Sequence, residues 1–507
     1  MTKPVSYSLL AAFLAAFSIL ALPLATQAQL RSTTLRPQAP VEIHLPSGQA
    51  GNLSVASIDS TLGDRIIEAM NALYGKTLDF NKHGVSASIS VPGLPQWSGA
   101  IGVSYAATPM DTNLLCEAGS ITKTFVTALI MQLQDEGKLS IKDSIYKWLP
   151  KKYPNVDSAI TIEMLLNHSS GIYDYVNDDT DQTVLYDQYE SDPTKVWTAD
   201  EILMNYVFAP NFAPGKGYQY SNTNFILLAL IAERVGGASA RDQIHARFID
   251  ALHMTKTFYG GVDSITMPFA HNWSPADSKY PATDLSFINK TAQLTGSPGD
   301  GNMCSTPGDL VRWAKALYLG NLVSANGLKE METTHKWKNG LIYGLGTQYA
   351  PYYTHNFYGH SGSMVGFKSS MFANPKDSVC IALFVNWDPD PTITDIYMND
   401  YLVAILNEIY KPTTAGIGAK QLPDPSVSVY PNPAGAIATF AFSLDASSTV
   451  SLSMRNELGA EVLNSAIGTF DSGIHSVSVE LSKLHPGMYF YSLQTSSRIL
   501  TGKVLIQ

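Results

Sequence analysis

The segment between residues 121 and 133, with apolar side chains almost all round a helix, is the clearest feature of the hydrophobic pattern. This apolar run predicts a helix buried in the core, and Glu136-Gly137 supplies a C-terminal stop. Strands at both ends of the surrounding region, with helices between them, predict an α+β unit whose sheet joins distant segments. The predicted helices are 161–166, 199–206, 224–235 and 307–319, and the predicted strands are 84–91, 366–372 and 380–386.

The pattern changes to a period of two in the last part of the chain. Residues 411–425 are rich in Pro, Gly and Thr and lack periodicity, which predicts a linker. Short alternating strands beyond it predict a small β-sandwich over residues 426–507. The alternating apolar positions are Phe440, Phe442 and Leu444, then Val450, Leu452 and Met454, then Val477, Val479 and Leu481.

The N-terminus has the pattern of a secretory signal peptide. Lys3 precedes an apolar stretch at 9–24, and Thr26-Gln27-Ala28 offers a small-residue cleavage site. A transmembrane anchor is the alternative, but small residues and a proline interrupt the stretch, and no later stretch is long and apolar enough to span. We therefore expect 1–28 to be a signal peptide, 29–60 a polar lead-in and 61–410 the main domain, with no transmembrane anchor in the mature chain.

Composition narrows the classes of partner. Charged residues make up only 15% of the 507 positions and the net charge is −10, so we expect no nucleic-acid ligand, because phosphate binding needs a basic surface. The three cysteines, Cys116, Cys304 and Cys380, are too few for a disulfide scaffold and leave room for one bridge of unknown pairing. We expect no cofactor and no metal, because the sequence offers no ligand cluster and no nucleotide-binding or zinc-peptidase motif.

A Ser-x-x-Lys pair opens the buried helix. Ser120 and Lys123 are three residues apart, so their side chains share one helix face. A serine hydroxyl is a weak nucleophile until a base stands beside it, and a lysine can be that base if burial lowers its pKa. The pair alone is a weak signal, because Ser144 and Lys147 match it too; we interpret that second match as chance.

Two further motifs follow in order. Tyr220-Ser221-Asn222 comes after a Pro-Gly turn and before a predicted helix, and His360-Ser361-Gly362 leads into an apolar strand. Taken singly, each has a structural interpretation, with Tyr220 a half-buried aromatic, Asn222 a helix cap and His360 a strand histidine whose hydrogen bonds are satisfied. Jointly, in this order and context, the three motifs favour a catalytic site.

These residues together resemble the serine β-lactamase and penicillin-binding-protein superfamily over about residues 60–410. The chain is most similar to the branch of class C β-lactamases, D-alanyl-D-alanine carboxypeptidases, D-aminopeptidases and esterases. The stretches 165–175 and 301–317 also resemble that family. The resemblance implies a β-lactamase/transpeptidase-like α+β fold, in which helices flank an antiparallel sheet and form a helical subdomain.

The resemblance also implies a mechanism. Ser120 would attack a carbonyl group and form an acyl-enzyme, and Lys123 and Tyr220 would share the general-base and general-acid work in an order left open. The backbone N–H groups of Ser120 and Ser363 would form the oxyanion hole.

The remaining implied residues bind substrate. Asn222 would hold Lys123 and the substrate amide, and His360, Ser361, Gly362 and Ser363 would line the other side. His360 stands where β-lactamases usually carry lysine, which weakens the β-lactamase interpretation, because a neutral imidazole attracts a carboxylate poorly. With the unperturbed pKa of ~6.5, His360 is expected to titrate within the working pH range.

The C-terminal module resembles the sorting domain of the Bacteroidetes type IX secretion system. The resemblance rests on Val429-Tyr430-Pro431-Asn432-Pro433, on Glu457-Leu458-Gly459, on the segment 484–490 and on a final strand ending at Ile506. It implies the type IX machinery as a partner, with export through the periplasm to the cell surface or the medium. An ordinary accessory β-sandwich is the alternative.

The sequence therefore predicts a secreted serine hydrolase that acts through an acyl-enzyme on a small peptide, ester or β-lactam substrate. Two alternatives remain at this stage: a catalytically inactive protein of the same fold that binds peptidoglycan or peptide, and a surface adhesin whose working part is the C-terminal sandwich.

Overall fold

The computed structural model describes residues 61–77, 82–176, 189, 191–273, 284–336, 342–387, 391–410, 427–430, 434, 437–444, 446–456, 460–471, 473–496 and 498–506. The chain divides into two compact units near residue 412, and each is described by itself. The predicted signal peptide 1–28, lead-in 29–60 and linker 411–425 lie outside the described residues, so the domain boundaries stay predictions.

Helices of the first unit are numbered in chain order, and three-residue 3₁₀ turns occur at Gly119–Ile121 and Ile145–Lys147. The helices are α1 (Thr61–Thr77), α2 (Thr122–Asp135), α3 (Ile162–Leu166), α4 (Ala199–Asn205), α5 (Thr223–Gly236), α6 (Ala240–Ile244), α7 (Thr291–Thr295), α8 (Pro307–Ala314), α9 (Ala325–Glu332) and α10 (Pro391–Ile409). Single π-helical turns extend α6 and α8, at His245–Ile249 and Lys315–Leu319.

Strands of the first unit form a nine-stranded antiparallel sheet and a three-stranded one. The strands are β1 (Gly84–Ser90), β2 (Trp97–Tyr105), β3 (Thr108–Pro109), β4 (Cys116–Glu117), β5 (Phe258–Tyr259), β6 (Met303–Ser305), β7 (His335–Lys336), β8 (Ile342–Tyr343), β9 (Gln348–Tyr352), β10 (His355–Met364), β11 (Phe367–Asn374) and β12 (Val379–Val385). The large sheet has the order β3-β2-β1-β12-β11-β10-β9-β8-β7, and the small sheet has the order β4-β6-β5.

The large sheet joins the two ends of the unit, as the pattern predicts. β1 pairs with β12 across about 300 residues of chain, with Val85 opposite Val385. Helix α8 packs on β1 and β12, and α1 and α10 pack on each other and on the sheet through β2 and β11. An antiparallel sheet flanked by helices confirms the predicted α+β, β-lactamase/transpeptidase-like fold.

Helix α2 is the buried helix predicted from the apolar run. Eleven of its residues have buried side chains, among them Phe125, Leu129 and Leu133. It packs against α5, which in turn packs against α3 and α6, and these helices form a subdomain beside the sheet. Gly137, with φ +70°, follows the C-cap Glu136, so the predicted stop is confirmed.

The third motif lies in a strand and leads into the next one. His360-Ser361-Gly362 lies inside the ten-residue strand β10, and the apolar segment that follows it is the next strand, β11. The two strands form a hairpin in which Met364 pairs with Phe367. The motif therefore lies within β10, an interior strand of the large sheet that pairs with β9 and β11.

The second unit is a β-sandwich. Its strands are β13 (Val427–Tyr430), β14 (Ile437–Leu444), β15 (Ser448–Asn456), β16 (Glu461–Phe470), β17 (Gly473–Glu480), β18 (Gly487–Gln494) and β19 (Ile499–Ile506). They form two antiparallel sheets, of order β13-β14-β17 and β16-β15-β18-β19. Phe440 of one sheet meets Tyr491 of the other with ring centroids 5.1 Å apart, so the predicted alternating residues do close one core.

Two further observations concern the described residues as a whole. No helix among them is long and apolar enough to cross a membrane. The thiols of Cys116, Cys304 and Cys380 are all buried and free, so the disulfide for which the sequence left room does not form.

Candidate active site

The site is built where three distant segments meet at the start of α2. Strand β4 leads through the turn Gly119–Ile121 into the helix, and Ser120 lies in that turn with 7% of its surface exposed. The neighbouring strand β6 holds the turn, because Ala118 N donates to Met303 O at 2.8 Å. The small sheet therefore fixes Ser120 against the segment that precedes β6.

Lys123 lies on the next turn of the same helix face, as the spacing predicts, and its side chain is fully buried. Its Nζ donates to Ser120 Oγ at 3.0 Å, to Asn222 Oδ1 at 2.7 Å and to the carbonyl oxygen of Asp300 at 2.6 Å. These three bonds use every proton that an ammonium group carries.

Burial is the main influence on the charge of Lys123. Loss of solvent lowers the pKa of its amine from 10.5 to about 8, while the nearby carboxyl groups of Asp300 and Asp174 act in the opposite direction. A substantial fraction of the amine is therefore neutral near pH 8, the state that can accept a proton.

Tyr220 approaches Ser120 from the second motif. Its hydroxyl donates to Ser120 Oγ at 2.9 Å, and its ring centroid lies 5.0 Å from Lys123 Nζ. Burial and the neighbouring Tyr343 raise the pKa of Tyr220 well above 10, so its side chain is a neutral phenol at physiological pH. His168 packs on the Tyr220 ring with centroids 4.2 Å apart.

Asn222 has its amide orientation fixed from behind. Its Nδ2 donates to Asp174 Oδ2 at 3.1 Å, and its backbone N donates to Asp174 Oδ1 at 3.2 Å. Because the amino side of the amide faces a carboxylate, the amide oxygen is left to accept from Lys123.

His360 is buried and neutral. Its Nδ1 lies 2.6 Å from the carbonyl oxygen of Ser361, so Nδ1 carries the proton, and Nε2 accepts from the Tyr343 hydroxyl at 2.8 Å. Burial, reinforced by the charge of Lys123, lowers the pKa of His360 to about 3. The expectation that His360 titrates near pH 6.5 is therefore wrong, because the sequence does not reveal its burial.

The rest of the third motif brings its backbone close to the turn that carries Ser120. A Cβ on Gly362 would lie 2.0 Å from the carbonyl oxygen of Ala118, so only glycine fits there. The side chains of Ser361 and Ser363 alternate with those of His360 and Gly362 along the strand. Ser363 Oγ accepts from Lys368 Nζ, its cross-strand neighbour, at 3.0 Å.

The second Ser-x-x-Lys match has separate, structural partners. Ser144 caps the short 3₁₀ turn Ile145–Lys147 by accepting from the backbone of Tyr146. Lys147 is half exposed and pairs with Asp143 at 2.8 Å. The Ser144 hydroxyl and the Lys147 ammonium therefore have different partners, and the two residues are linked by the backbone bond from Lys147 N to Ser144 O at 3.0 Å.

Sequence reasoning missed three buried residues around the motifs. Asp174 orients Asn222, Tyr343 bonds His360, and Asp300 places its carbonyl oxygen on Lys123. Asp174 and Asp300 lie next to or inside the family-like stretches at 165–175 and 301–317, which was the available signal; nothing local marks Tyr343. Among the described residues, no group of three His, Cys, Asp or Glu side chains is arranged to hold a metal ion.

Comparison with known sequences agrees with the motifs. Residues 64–403 match the Beta-lactamase family, and residues 428–507 match the Secretion system C-terminal sorting domain. Penicillin-binding protein 4* of Bacillus subtilis is 29% identical over 275 residues, which cover 52% of this chain and 58% of that protein. Teichoic acid D-alanine hydrolase of Staphylococcus aureus is 27% identical over 302 residues, covering 57% and 66%. The chain thus spans about three fifths of the length of these curated relatives.

Solved structures show the same fold. A D-stereospecific amidohydrolase from Streptomyces sp. superposes with a TM-score of 0.57 at 26% identity, covering 70% of this chain and 99% of that one. The D-amino acid amidase of Ochrobactrum anthropi SV3 with bound D-phenylalanine superposes with a TM-score of 0.59 at 23% identity, covering 69% and 99%. Both resemblances inferred from the motifs are therefore confirmed: most of this chain belongs to the beta-lactamase family, and its C-terminal unit is a secretion-system sorting domain.

Proposed function

We propose that this protein is a secreted serine hydrolase in which Ser120 attacks an amide or ester carbonyl and forms an acyl-enzyme. The observation that carries the proposal is the contact of Ser120 Oγ with two groups. These are the buried Lys123 Nζ at 3.0 Å and the hydroxyl of the half-buried Tyr220 at 2.9 Å. A serine between an amine of lowered pKa and a phenol has both a proton acceptor and a proton donor within reach.

Lys123 is the better candidate for the base of the first step. Two of its partners, Asn222 Oδ1 and the Asp300 carbonyl oxygen, can only accept hydrogen bonds, so a neutral amine directs its two N–H groups to them. Its lone pair then faces Ser120 Oγ. As Oγ forms a bond to the carbonyl carbon, Lys123 takes the hydroxyl proton.

Tyr220 is suited to the opposite role. Its pKa lies well above 10, so the phenol keeps its proton until a leaving amine or alkoxide is present. When the carbon–leaving group bond breaks, Tyr220 donates its proton to the leaving atom and recovers one from the Lys123 ammonium. Water then attacks the acyl-enzyme, and proton transfer in the reverse direction restores Ser120.

The oxyanion hole is assigned to two backbone N–H groups, those of Ser120 and Ser363. The turn before Ser120 lies directly against Ser363, because a Cβ on Gly119 would be 2.7 Å from both the N and the O of Ser363. The N-terminal end of α2 adds positive potential at the same place. One such donor contributes about 3 kcal/mol to transition-state stabilisation.

The substrate class follows from His360 and from the relatives. A neutral His360, with both ring nitrogens in hydrogen bonds, gives no positive charge to a substrate carboxylate at the position where β-lactamases carry lysine. Two of the similar proteins are named as a teichoic acid D-alanine hydrolase and a D-amino acid amidase. We therefore propose small D-amino-acid amides and esters as substrates ahead of β-lactams.

Export is proposed from the C-terminal unit. A secretion-system sorting domain over 428–507 supports delivery to the cell surface or medium by the type IX machinery, with residues 1–28 as the signal for the first membrane. The enzyme would then act on external peptides, esters or amides rather than on the periplasmic cell wall.

Replacing the nucleophile tests the assignment. Ser120→Ala should lower hydrolysis of p-nitrophenyl acetate by ~10³-fold or more and abolish fluorophosphonate labelling, because no neighbouring group replaces the hydroxyl. Ser144→Ala, which changes the other Ser-x-x-Lys serine, is the matched control and should keep both. Peptide mapping of the label to any serine other than Ser120 would refute the assignment.

The pH profile tests the base. The reactive form needs neutral Lys123, so kcat/KM should fall about tenfold per unit as pH drops below about 8, and Lys123→Arg should be inactive because guanidinium does not deprotonate. His360 contributes no step near pH 6.5. If an acid limb near 6.5 disappears in His360→Gln, the profile belongs to His360 and the role given to Lys123 is wrong.

A glycine pair tests the oxyanion turn. Gly119→Ala should slow fluorophosphonate labelling of Ser120 by ~100-fold, because the new Cβ pushes the turn away from Ser363. Gly137→Ala is the control, since Gly137 also has positive φ but its Cβ would have nothing within 4 Å. It should lose about 1 kcal/mol of stability to backbone strain and keep its labelling rate. Equal labelling rates in the two variants would contradict this oxyanion geometry.

Truncation tests the division of labour between the two units. A chain ending at about residue 415 should keep Ser120 labelling, because the first unit has its own core. In a Bacteroidetes host with a working type IX system, fractionation should find this shortened chain retained in the periplasm and the full chain outside. A shortened chain recovered from the medium would overturn the sorting role.

A further inference from the structure

Two carboxyl groups that the proposed mechanism does not use lie behind Lys123. Asp174 is 2% exposed and Asp300 is 3% exposed, so both are buried beside a buried amine. The two carboxyl groups have different hydrogen-bond partners, and these partners determine which protonation states each group can adopt.

Asp174 is surrounded by hydrogen-bond donors. Its Oδ1 accepts from Val176 N at 3.1 Å and from Asn222 N at 3.2 Å, and its Oδ2 accepts from Asn222 Nδ2 at 3.1 Å. Each of these groups only donates, and together they favour the carboxylate over the protonated acid. Burial raises the pKa of Asp174, while these donors and the charge of Lys123 act in the opposite direction. The contacts favour the carboxylate, which also orients the Asn222 amide.

Asp300 faces a group that can donate or accept. The Tyr175 hydroxyl lies 3.0 and 3.1 Å from the two carboxyl oxygens of Asp300, and 2.9 Å from the carbonyl oxygen of Gly296. The phenol has one proton for these acceptors. When it donates to Gly296, a protonated Asp300 can donate to it, and when it donates to Asp300, the carboxylate is stabilised.

The contact with Tyr175 therefore allows Asp300 to hold either protonation state. Burial raises the pKa of Asp300 to about 7, so both states are populated near neutral pH. The backbone carbonyl of the same residue accepts from Lys123 Nζ at 2.6 Å, which fixes the amine close to this carboxyl group.

Three further titratable groups around Lys123, on two histidines and a tyrosine, are neutral at that pH. Burial lowers the pKa of His168 and of His360 and raises the pKa of Tyr220, so none of the three changes charge between pH 6 and 9. Of the two carboxyl groups near Lys123, that of Asp300 contacts a hydroxyl that can both donate and accept. The backbone and amide N–H groups that contact Asp174 only donate.

We propose that Asp300 is a positioning residue that sets the protonation state of Lys123, while Asp174 holds the Asn222 amide oxygen toward the same amine. This inference rests on the proposed function, because it assigns both residues to the control of the proposed base. A carboxylate at Asp300 stabilises the ammonium form of Lys123, and loss of that charge releases the proton more readily.

The test is the pH dependence of fluorophosphonate labelling of the full-length protein. Asp300→Asn keeps the shape of the side chain and removes its charge, so the acid limb of the labelling rate should move about one pH unit lower, with a similar rate on the plateau. Asp174→Asn should differ from Asp300→Asn by lowering the plateau rate. The amide group introduced at position 174 can donate as well as accept, so it no longer fixes the orientation of Asn222.

The matched control is Asp309→Asn. Asp309 is a buried carboxyl that accepts from Lys256 N at 2.8 Å and from Thr257 Oγ1 at 3.1 Å, contacts that do not involve Lys123. This variant should unfold at a lower temperature than the unchanged protein. The acid limb of its labelling rate should lie at the same pH as in the unchanged protein.

Tyr175→Phe provides an independent variant if Asp300→Asn does not fold. Without the hydroxyl, the Asp300 carboxylate loses a donor and is protonated over a wider range, so the acid limb should again move to lower pH. An unshifted limb in a folded Asp300→Asn protein, or in Tyr175→Phe when the first variant does not fold, overturns the inference. So does an equal shift in Asp309→Asn.

The result also separates this inference from the proposed function. If the unchanged protein is not labelled at Ser120, the proposed function fails and the inference fails with it. If Ser120 is labelled and the acid limb stays in place in the Asp300 variant, the serine hydrolase assignment stands and only the role of Asp300 is refuted.

Discussion

The site depends on the burial of one amine, that of Lys123, away from solvent. Lys123 is fully buried, and burial of a charged group is costly unless hydrogen bonds and opposite charge compensate it. The fold supplies three acceptors at 2.6 to 3.0 Å and two nearby carboxyl groups. The compensation is partial, which keeps the pKa of the amine low enough for proton transfer near pH 8. Full solvation would leave Lys123 an ordinary ammonium and Ser120 an ordinary serine.

The scaffold meets this constraint with close backbone approaches between distant segments. Strand β6 begins three residues after Asp300 and pairs with β4, which leads into Ser120. One small sheet therefore positions the nucleophile and one of the acceptors. Strand β10 lies against the same turn through Gly362 and Ser363. This contact is close enough to exclude a Cβ at both Gly119 and Gly362. Since these contacts are between backbones, they leave no room for a side chain at either position.

The sequence predicted those parts of the site that depend on local spacing. The spacing of Ser120 and Lys123 places them on one face once the helix forms, and the apolar side chains that follow them predict that this helix is buried. The alternation at Phe440 and Phe442 predicted the strands of the second unit for the same local reason. Resemblance to the family added Tyr220 and Asn222, and the structure brings both to the pair.

Features that depend on contacts between distant residues could not be predicted. The orientation of Asn222 depends on Asp174, 48 residues away, and the neutral state of His360 depends on burial and on Tyr343. A motif does not reveal how far a histidine is from solvent, so the expected titration near pH 6.5 was wrong. The carbonyl oxygen of Asp300 has no sequence signature at all, because every residue has one.

The measurement closest to the central claim is the pKa of the Lys123 amine itself. NMR titration of protein labelled at the lysine side-chain nitrogen gives it directly, with the signal assigned by its loss in Lys123→Arg. The account predicts a titration midpoint near 8, the result of burial opposed by two carboxyl groups. A midpoint at or above ~10.4, the value of a solvated lysine, would show that Lys123 keeps its proton throughout the working range and would contradict its role as the base.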